Sequence, residues 1–397
     1  MASTVLLYGA DEFIGGLVAR KARSSWNGPG APNLVLAGTR WPWLAALGAD
    51  LGLPAQAFDW RDAATLAAEV AKADVIVNAA TPFEETAMVI AAAAVKAGRA
   101  YLDLNSEIDV ERKLVGLAAA ATQANATVVC GAGPGAVVSG LMVRAAMTQL
   151  YAQGVIAAGD PVGTIRVAMS CFPSISRSSA ASAWRALASA VAVGAVLPGP
   201  IVNPGLGVQY QSVPIGQLAR AFDFSSATKT LPPRICVGAS VADSHAAGWT
   251  GVCQKHQVNR IETYVQSTRA SRILYPLGAG LRAWLAPAYT FDIAKAATRL
   301  AFEAWPPGPP AGLRDLEPFE IVLQIEDQFM TPVVDWRLTG PNLYDMVSQL
   351  SAAMALRLAA GAPPGCLTPA DLLVAPMTGA TPIADLPGVK LYRKLLA

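Results

Sequence analysis

Residues Thr4–Gly16, TVLLYGADEFIGG, decide the fold. A strand-length apolar run breaks at Gly9, and a helical pattern starts at Ile14. A buried strand that turns through glycine directly into a helix is how a parallel βα unit begins. Gly9 permits the tight turn, while Gly15 and Gly16 let the helix start close against the strand. The first N–H groups of that helix have no partner within it and can hold a diphosphate. Gly9, Asp11, Phe13, Ile14 and Gly15 are therefore the expected diphosphate-facing residues. Glu12 stands where such turns usually carry a middle glycine, so that backbone can approach phosphate. With Asp11 beside it, either both carboxylates turn outward or the diphosphate is held less closely.

Outward from this unit the alternation continues. Strands are expected at Asn33–Gly38, Ala57–Trp60, Asp74–Ala79, Tyr101–Leu104 and Thr127–Cys130. Helices are expected at Leu44–Leu51, Ala63–Ala73, Glu84–Ala97 and Val110–Gln123. Strands apolar on both faces with helices between them imply a doubly wound parallel α/β sheet of Rossmann type over residues 1–133. From Gly163 the alternation fades. Thr164–Ser170, Arg260–Gln266 and Phe319–Glu326 read as strands of a mixed, more antiparallel sheet, Ser179–Gly194 as a helix, and Pro306–Pro310 as a connection. Residues 134–340 are expected to form this second α/β unit, for substrate or dimerisation. Residues 341–397, with a helix at Leu343–Ala360, should return to the first.

Topology places further cofactor contacts. The second strand ends in Gly38-Thr39-Arg40, with no acid to take a ribose 2′-hydroxyl. The Arg40 guanidinium suits a 2′-phosphate, which favours NADP(H) over NAD(H). Asp59 falls near the adenine, or else caps the following helix; Asn78, Ala79, Ala80 and Thr81 fall beside the nicotinamide ribose. Tyr101, Glu107 and Ser139 are the candidate proton-handling residues.

Composition excludes other classes. Of 397 residues 53% are apolar and 15% charged, and Lys plus Arg (30) nearly match Asp plus Glu (28), which leaves no basic footprint for nucleic acid. The two histidines, His245 and His256, and five cysteines without CxxC spacing argue against a metal site; the odd cysteine count fits a reducing, cytoplasmic setting. MASTVLLYGA reads as a first strand rather than a signal peptide, and Ala186–Val202, interrupted by Gly and Pro, as a buried or interface segment rather than a membrane span. So apolar a chain is expected to bury a subunit interface, as a homodimer, or a greasy cavity; Tyr210, Phe222, Phe224, Trp249, Tyr264, Tyr275 and Trp284 could line one or pack a core.

Several segments, in order, resemble the saccharopine dehydrogenase-like oxidoreductases, especially their trans-acting enoyl reductase branch. They are YGADEFIGGLVAR, LAGTR, NAATPFEETAMVIAAAAVKAGRAYLDLNSE, VVCGAGPGAVVSGL, SISRSSAASAWRAL and YDMVSQLSAAMALRL followed by GCLTPADLL. The chain departs from that pattern at Glu12, at Gly140 after Ser139, and at Arg177-Ser178-Ser179. The resemblance implies hydride chemistry with NADP(H). With the apolar composition, it implies an apolar enoyl or keto substrate in lipid-like or polyketide-like secondary metabolism. Two other readings stay open: a non-redox cyclase or isomerase on the same scaffold, and a membrane-peripheral binding protein.

Overall fold

The computed structural model describes residues 2–133, 136–157, 159–170, 174–181, 200–203, 208–211, 219–225, 231–238, 258–267, 302–374 and 382–396. Six strands come from the first third of the chain: β1 (Thr4–Tyr8), β2 (Asn33–Gly38), β3 (Ala55–Ala57), β4 (Val75–Asn78), β5 (Ala100–Asp103) and β6 (Thr127–Val129). With β15 (Gly365–Leu367) they form a seven-stranded sheet ordered β15-β6-β5-β4-β1-β2-β3, parallel throughout. Val5, Leu6, Leu7 and Tyr8 of β1 are all buried, as a strand covered on both faces requires. The covering helices are α1 (Phe13–Ser25), α2 (Trp41–Leu51), α3 (Ala63–Ala71), α4 (Phe83–Lys96), α5 (Ile108–Val115) and α6 (Ala118–Gln123). The chain winds outward both ways from β1, so a crevice opens over the carboxyl ends of β1 and β4, where such folds bind ligands.

After α7 (Ala136–Ala152) the chain enters a second sheet. Its strands are β7 (Val162–Met169), β8 (Pro200–Asn203), β9 (Val208–Gln211), β10 (Ala219–Phe222), β11 (Arg234–Gly238), β12 (Val258–Gln266), β13 (Phe319–Asp327), β14 (Pro332–Gly340) and β16 (Lys390–Leu395). The order is β10-β11-β12-β7-β13-β14-β16 with β9, and β8 beyond it, beside β12. β12 runs parallel to β7 and β9, and the other described pairs are antiparallel. One face presents Ile165, Val167, Ile321, Leu323, Trp336 and Leu338 to a hydrophobic core continuous with that of the first sheet. The opposite face carries Arg166, Glu262, Glu326, Asp335 and Arg337.

The remaining helices are α8 (Ala311–Arg314), α9 (Leu343–Ala359) and α10 (Pro369–Leu373). α9 lies against α1 and the strands β1, β4 and β5. The tail, expected to return to the first unit, is divided: β15 extends the first sheet, while β16 crosses to the second. Two other expectations are corrected. The helix read over Val110–Gln123 is two helices broken at Gly116-Leu117. The third strand lies at Ala55–Ala57, ahead of the Ala57–Trp60 read from sequence, because it pairs Leu36–Gly38 of β2 in that register.

The 306–310 connection packs on the first unit at Gly308. Gly308 sits flush on the Phe13 ring, where a Cβ would come within 2.4–2.5 Å of ring carbons. Tyr344 meets the same ring edge-on at 5.3 Å, and Arg314 lies 5.8 Å from its centre. Gly308→Ala should therefore cost about 1–3 kcal/mol through overpacking. Thermal unfolding reads this, and an unchanged midpoint would mean the ring yields freely.

Among the described residues no helix is long and apolar enough to cross a membrane, and no group of His, Cys, Asp and Glu is placed to hold a metal. Residues 186–199 of the segment read as buried or interfacial lie outside the described residues, as do His245, Trp249, His256, Tyr275 and Trp284.

Candidate active site

The crevice is a cleft of about 1250 Å³. One wall is the β1–α1 turn with Gly9, Asp11, Glu12 and Phe13, and Gly16 above it; the second is Thr39, Arg40 and Trp43 after β2. Ala80, Thr81 and Pro82 after β4 close one end, joined from the second unit by Arg177, Ser178, Ala181, Phe302 and Pro307. Thr81-Pro82 is a cis peptide.

The turn is built on close backbone packing. Gly9 has φ +84°, and a Cβ on it would lie 2.4 Å from the Ala80 nitrogen. A Cβ on Gly15 would lie 2.1 Å from the Gly9 carbonyl oxygen. Gly9 and Ala10 donate their N–H groups to the Ala37 carbonyl, which pins the turn to β2. This cradle admits only glycine at both positions and points the start of α1 into the cleft. Asp11 does not turn outward. Its carboxylate packs on Gly38 and accepts from the Arg40 backbone N–H at 3.0 Å and from Arg40 Nε at 3.1 Å. Arg40 also donates to the Asp11 carbonyl, and its guanidinium lies 3.7 Å from Glu12 Oε1. Burial against the cleft walls, and secondarily Asp11, push the Glu12 carboxyl up, while Arg40 and Arg177 pull it down.

The structure brings some expected contacts to the cleft and removes others. Gly9, Asp11, Phe13, Thr39, Arg40, Ala80 and Thr81 line it. Ile14, Gly15 and Ala79 sit behind the lining and shape it. Asp59 is not a lining residue: it is exposed and takes the Arg61 N–H at 2.9 Å, while its neighbours Trp60 and Arg61 line the cleft instead. Asn78 is fully buried, donating to Tyr101 Oη at 3.1 Å and to Thr86 Oγ1 at 3.3 Å, and accepting from Ala80 N–H at 3.0 Å. It holds the β4 end in shape and offers no ligand contact.

None of the three residues expected to handle a proton lines the cleft. Tyr101 is wholly buried under β4, accepting from Asn78 and donating to Asp103 Oδ2 at 3.1 Å, and burial, then Asp103, push its phenol far up. Glu107 is the N-cap position of α5, and Ser139 is fully buried within α7. Sequence reading missed a hydroxyl chain that does reach the cleft. Ser178, in the lining, is 3.1 Å from Ser176 Oγ, which donates to Ser179 Oγ at 3.0 Å. Tyr344 Oη of α9 donates to Ser179 Oγ at 3.0 Å and accepts the Ser176 N–H at 2.7 Å. The serine-rich stretch SISRSS was visible in sequence, but its partner Tyr344 lies 165 residues beyond Ser179.

Residues 5–129 match the family model of the saccharopine dehydrogenase NADP binding domain. That match supports NADP(H) as cofactor and with it an oxidoreductase. The whole chain superimposes on saccharopine dehydrogenase (L-Glu forming) from Saccharomyces cerevisiae, with a TM-score of 0.61, 14% identity and 100% of both chains covered. It is similar over 48% of its length to 50% of scyllo-inositol dehydrogenase from Lactobacillus casei, with 16% identity and a TM-score of 0.32. The first of these likenesses establishes a shared fold. No curated protein matches the chain in sequence. The glycine cradle at Gly9 and Gly15 and the cationic Arg40 beyond it fit a phosphorylated dinucleotide; Glu12 is the residue that opposes one.

Proposed function

We propose that the protein is an NADP(H)-dependent oxidoreductase that reduces an apolar enoyl or keto substrate in the cleft. One observation carries this reading: a single cleft of about 1250 Å³ runs from Arg40 and Trp43, past the glycine turn, to Thr81, Pro82 and the residues of the second unit. Pockets for one drug-sized ligand occupy roughly 300–1,000 Å³, so this one has room for a dinucleotide and a second molecule. Trp43 and Trp60 offer flat surfaces at the adenine end, with Arg40 at the 2′-phosphate. When bound, the nicotinamide supplies the hydride. The chain positions the acceptor against Thr81-Pro82 and Ala181, and the Ser178 hydroxyl, anchored on Ser176 Oγ, is the polar group that meets the acceptor oxygen. Phe302, Ala181 and Pro307 give that end its apolar surface.

Arg40→Ala tests the reading. A charged hydrogen-bonding group contributes about 1.5–3 kcal/mol, so NADPH binding, followed by nucleotide fluorescence, should weaken roughly tenfold to a hundredfold. NADH binding should change little. Equal weakening for the two nucleotides would remove Arg40 from the 2′-phosphate.

A non-redox cyclase or isomerase is favoured by one feature, the prior engagement of Arg40 by Asp11 and Glu12. Its mark would be turnover that persists in nucleotide-free protein.

A further inference from the structure

Glu12 is the one residue of the turn that the dinucleotide reading does not absorb. It has extended backbone, φ −84° and ψ 160°, at the N-cap of α1, so nothing in the local geometry demands a glutamate. Its side chain makes no capping bond to the helix. It lies in the cleft lining instead, with Oε1 3.7 Å from one guanidinium nitrogen of Arg40. Arg177, reaching into the cleft from the second unit, is the other cation that acts on it. Arg177 is fixed there: its Nε donates to the Trp305 carbonyl at 2.9 Å and its N–H to the Pro306 carbonyl at 3.2 Å.

We propose that the Glu12 carboxylate is an intramolecular stand-in for cofactor phosphate, facing Arg40 across the cleft that Arg177 also lines, and displaced when a dinucleotide enters. This rests on the cofactor reading above and deepens it, because it assigns Arg177 to the diphosphate and makes Glu12 the residue that sets nucleotide affinity. The charges favour displacement of Glu12 rather than of Asp11. The Asp11 side chain is 4% exposed and tied to the Arg40 backbone, whereas that of Glu12 is 35% exposed and held by charge alone. A diphosphate arriving at the start of α1 brings negative charge to the place where Glu12 stands. Glu12 must swing out or take up a proton; Asp11 and the incoming phosphates favour the proton, and Arg40 and Arg177 oppose it. Arg20 and Arg61, the remaining cations of the lining, are paired with Asp50 and Glu85. The carboxylates already facing the cleft's cations then keep nucleotide affinity modest and steepen its dependence on pH.

The test compares wild type with Glu12→Gln and Glu12→Gly by fluorescence titration with NADPH and NADH between pH 6 and 9; thermal unfolding confirms that each variant folds. Removing one like charge beside the phosphates should tighten both nucleotides about tenfold, a change of about 1.4 kcal/mol. The gain should be larger at pH 9 than at pH 6, and salt should shrink it. Arg177→Gln should weaken both nucleotides alike. Affinities unchanged in both Glu12 variants would overturn the stand-in role while leaving the cofactor reading intact. A wild type and variants that bind neither nucleotide would overturn the two together.

Discussion

Arg166→Met is expected to cost about 3–5 kcal/mol of folding free energy, because it strands buried carboxylates without their cation. Arg166 lies on β7 at the middle of the second sheet, paired in register with Glu262 of β12 and Gln324 of β13. Its Nε donates to Glu262 Oε2 at 2.7 Å, and its other arm donates to Glu326 Oε1. All three side chains are close to fully buried. Glu262 has further support, from Tyr264 Oη at 2.9 Å and Arg260 Nε at 2.7 Å. Glu326 has much less, since its Oε2 is buried with no hydrogen-bond partner. Most of the loss should therefore come from Glu326, and adding Glu326→Leu to Arg166→Met should restore a large part of it. Urea unfolding midpoints measure both effects. A single-variant loss below about 1 kcal/mol would show that water or a proton reaches these carboxylates easily.

The ladder also explains why the second sheet was hard to read. β14, PVVDWRLTG, opens on proline and carries Asp335 and Arg337 in its interior, features that argue against a buried strand. Those two side chains pair at 2.7 Å on the polar face, while Val334, Trp336 and Leu338 fill the core face. The first sheet was legible because β1, β2 and β4 are apolar on both faces and glycine marks the turns after β1 and β2. The site was legible only in part. Chain order places the end of a strand in the crevice, but it does not give depth, so Tyr101 was expected in the cleft and lies beneath it. Asp11 looked like an obstacle to phosphate, and its role in fixing Arg40 appears only once β2 is seen beside the turn.

Glu111→Gln should stabilise the protein at neutral and alkaline pH and leave it unchanged in acid. Glu111 of α5 is buried against the backbone of Gly131, and its Oε1 has no hydrogen-bond partner. Nearby Asp103 accepts from Tyr101 Oη at 3.1 Å, from the Asn105 amide and from Gly131 N–H at 3.4 Å. Both acids are raised by burial, Asp103 to about 6, but the donors aimed at Asp103 let it ionise first. Glu111, raised well above its ordinary 4.5 by burial and then by Asp103, keeps the proton. In the unfolded chain Glu111 ionises near pH 4.5. Above that pH the native state binds one more proton than the unfolded state, so stability falls as pH rises, by up to about 1.4 kcal/mol per unit, until the folded group ionises too. Glutamine has the same shape and no such slope. The variant and the wild type should coincide below about pH 4.5 and then separate as pH rises, until the folded Glu111 ionises too. Because the other acids are common to both chains, the difference between their urea stabilities isolates this group. Curves that stay parallel from pH 4 to pH 9 would mean that Glu111 ionises as freely in the fold as in the unfolded chain.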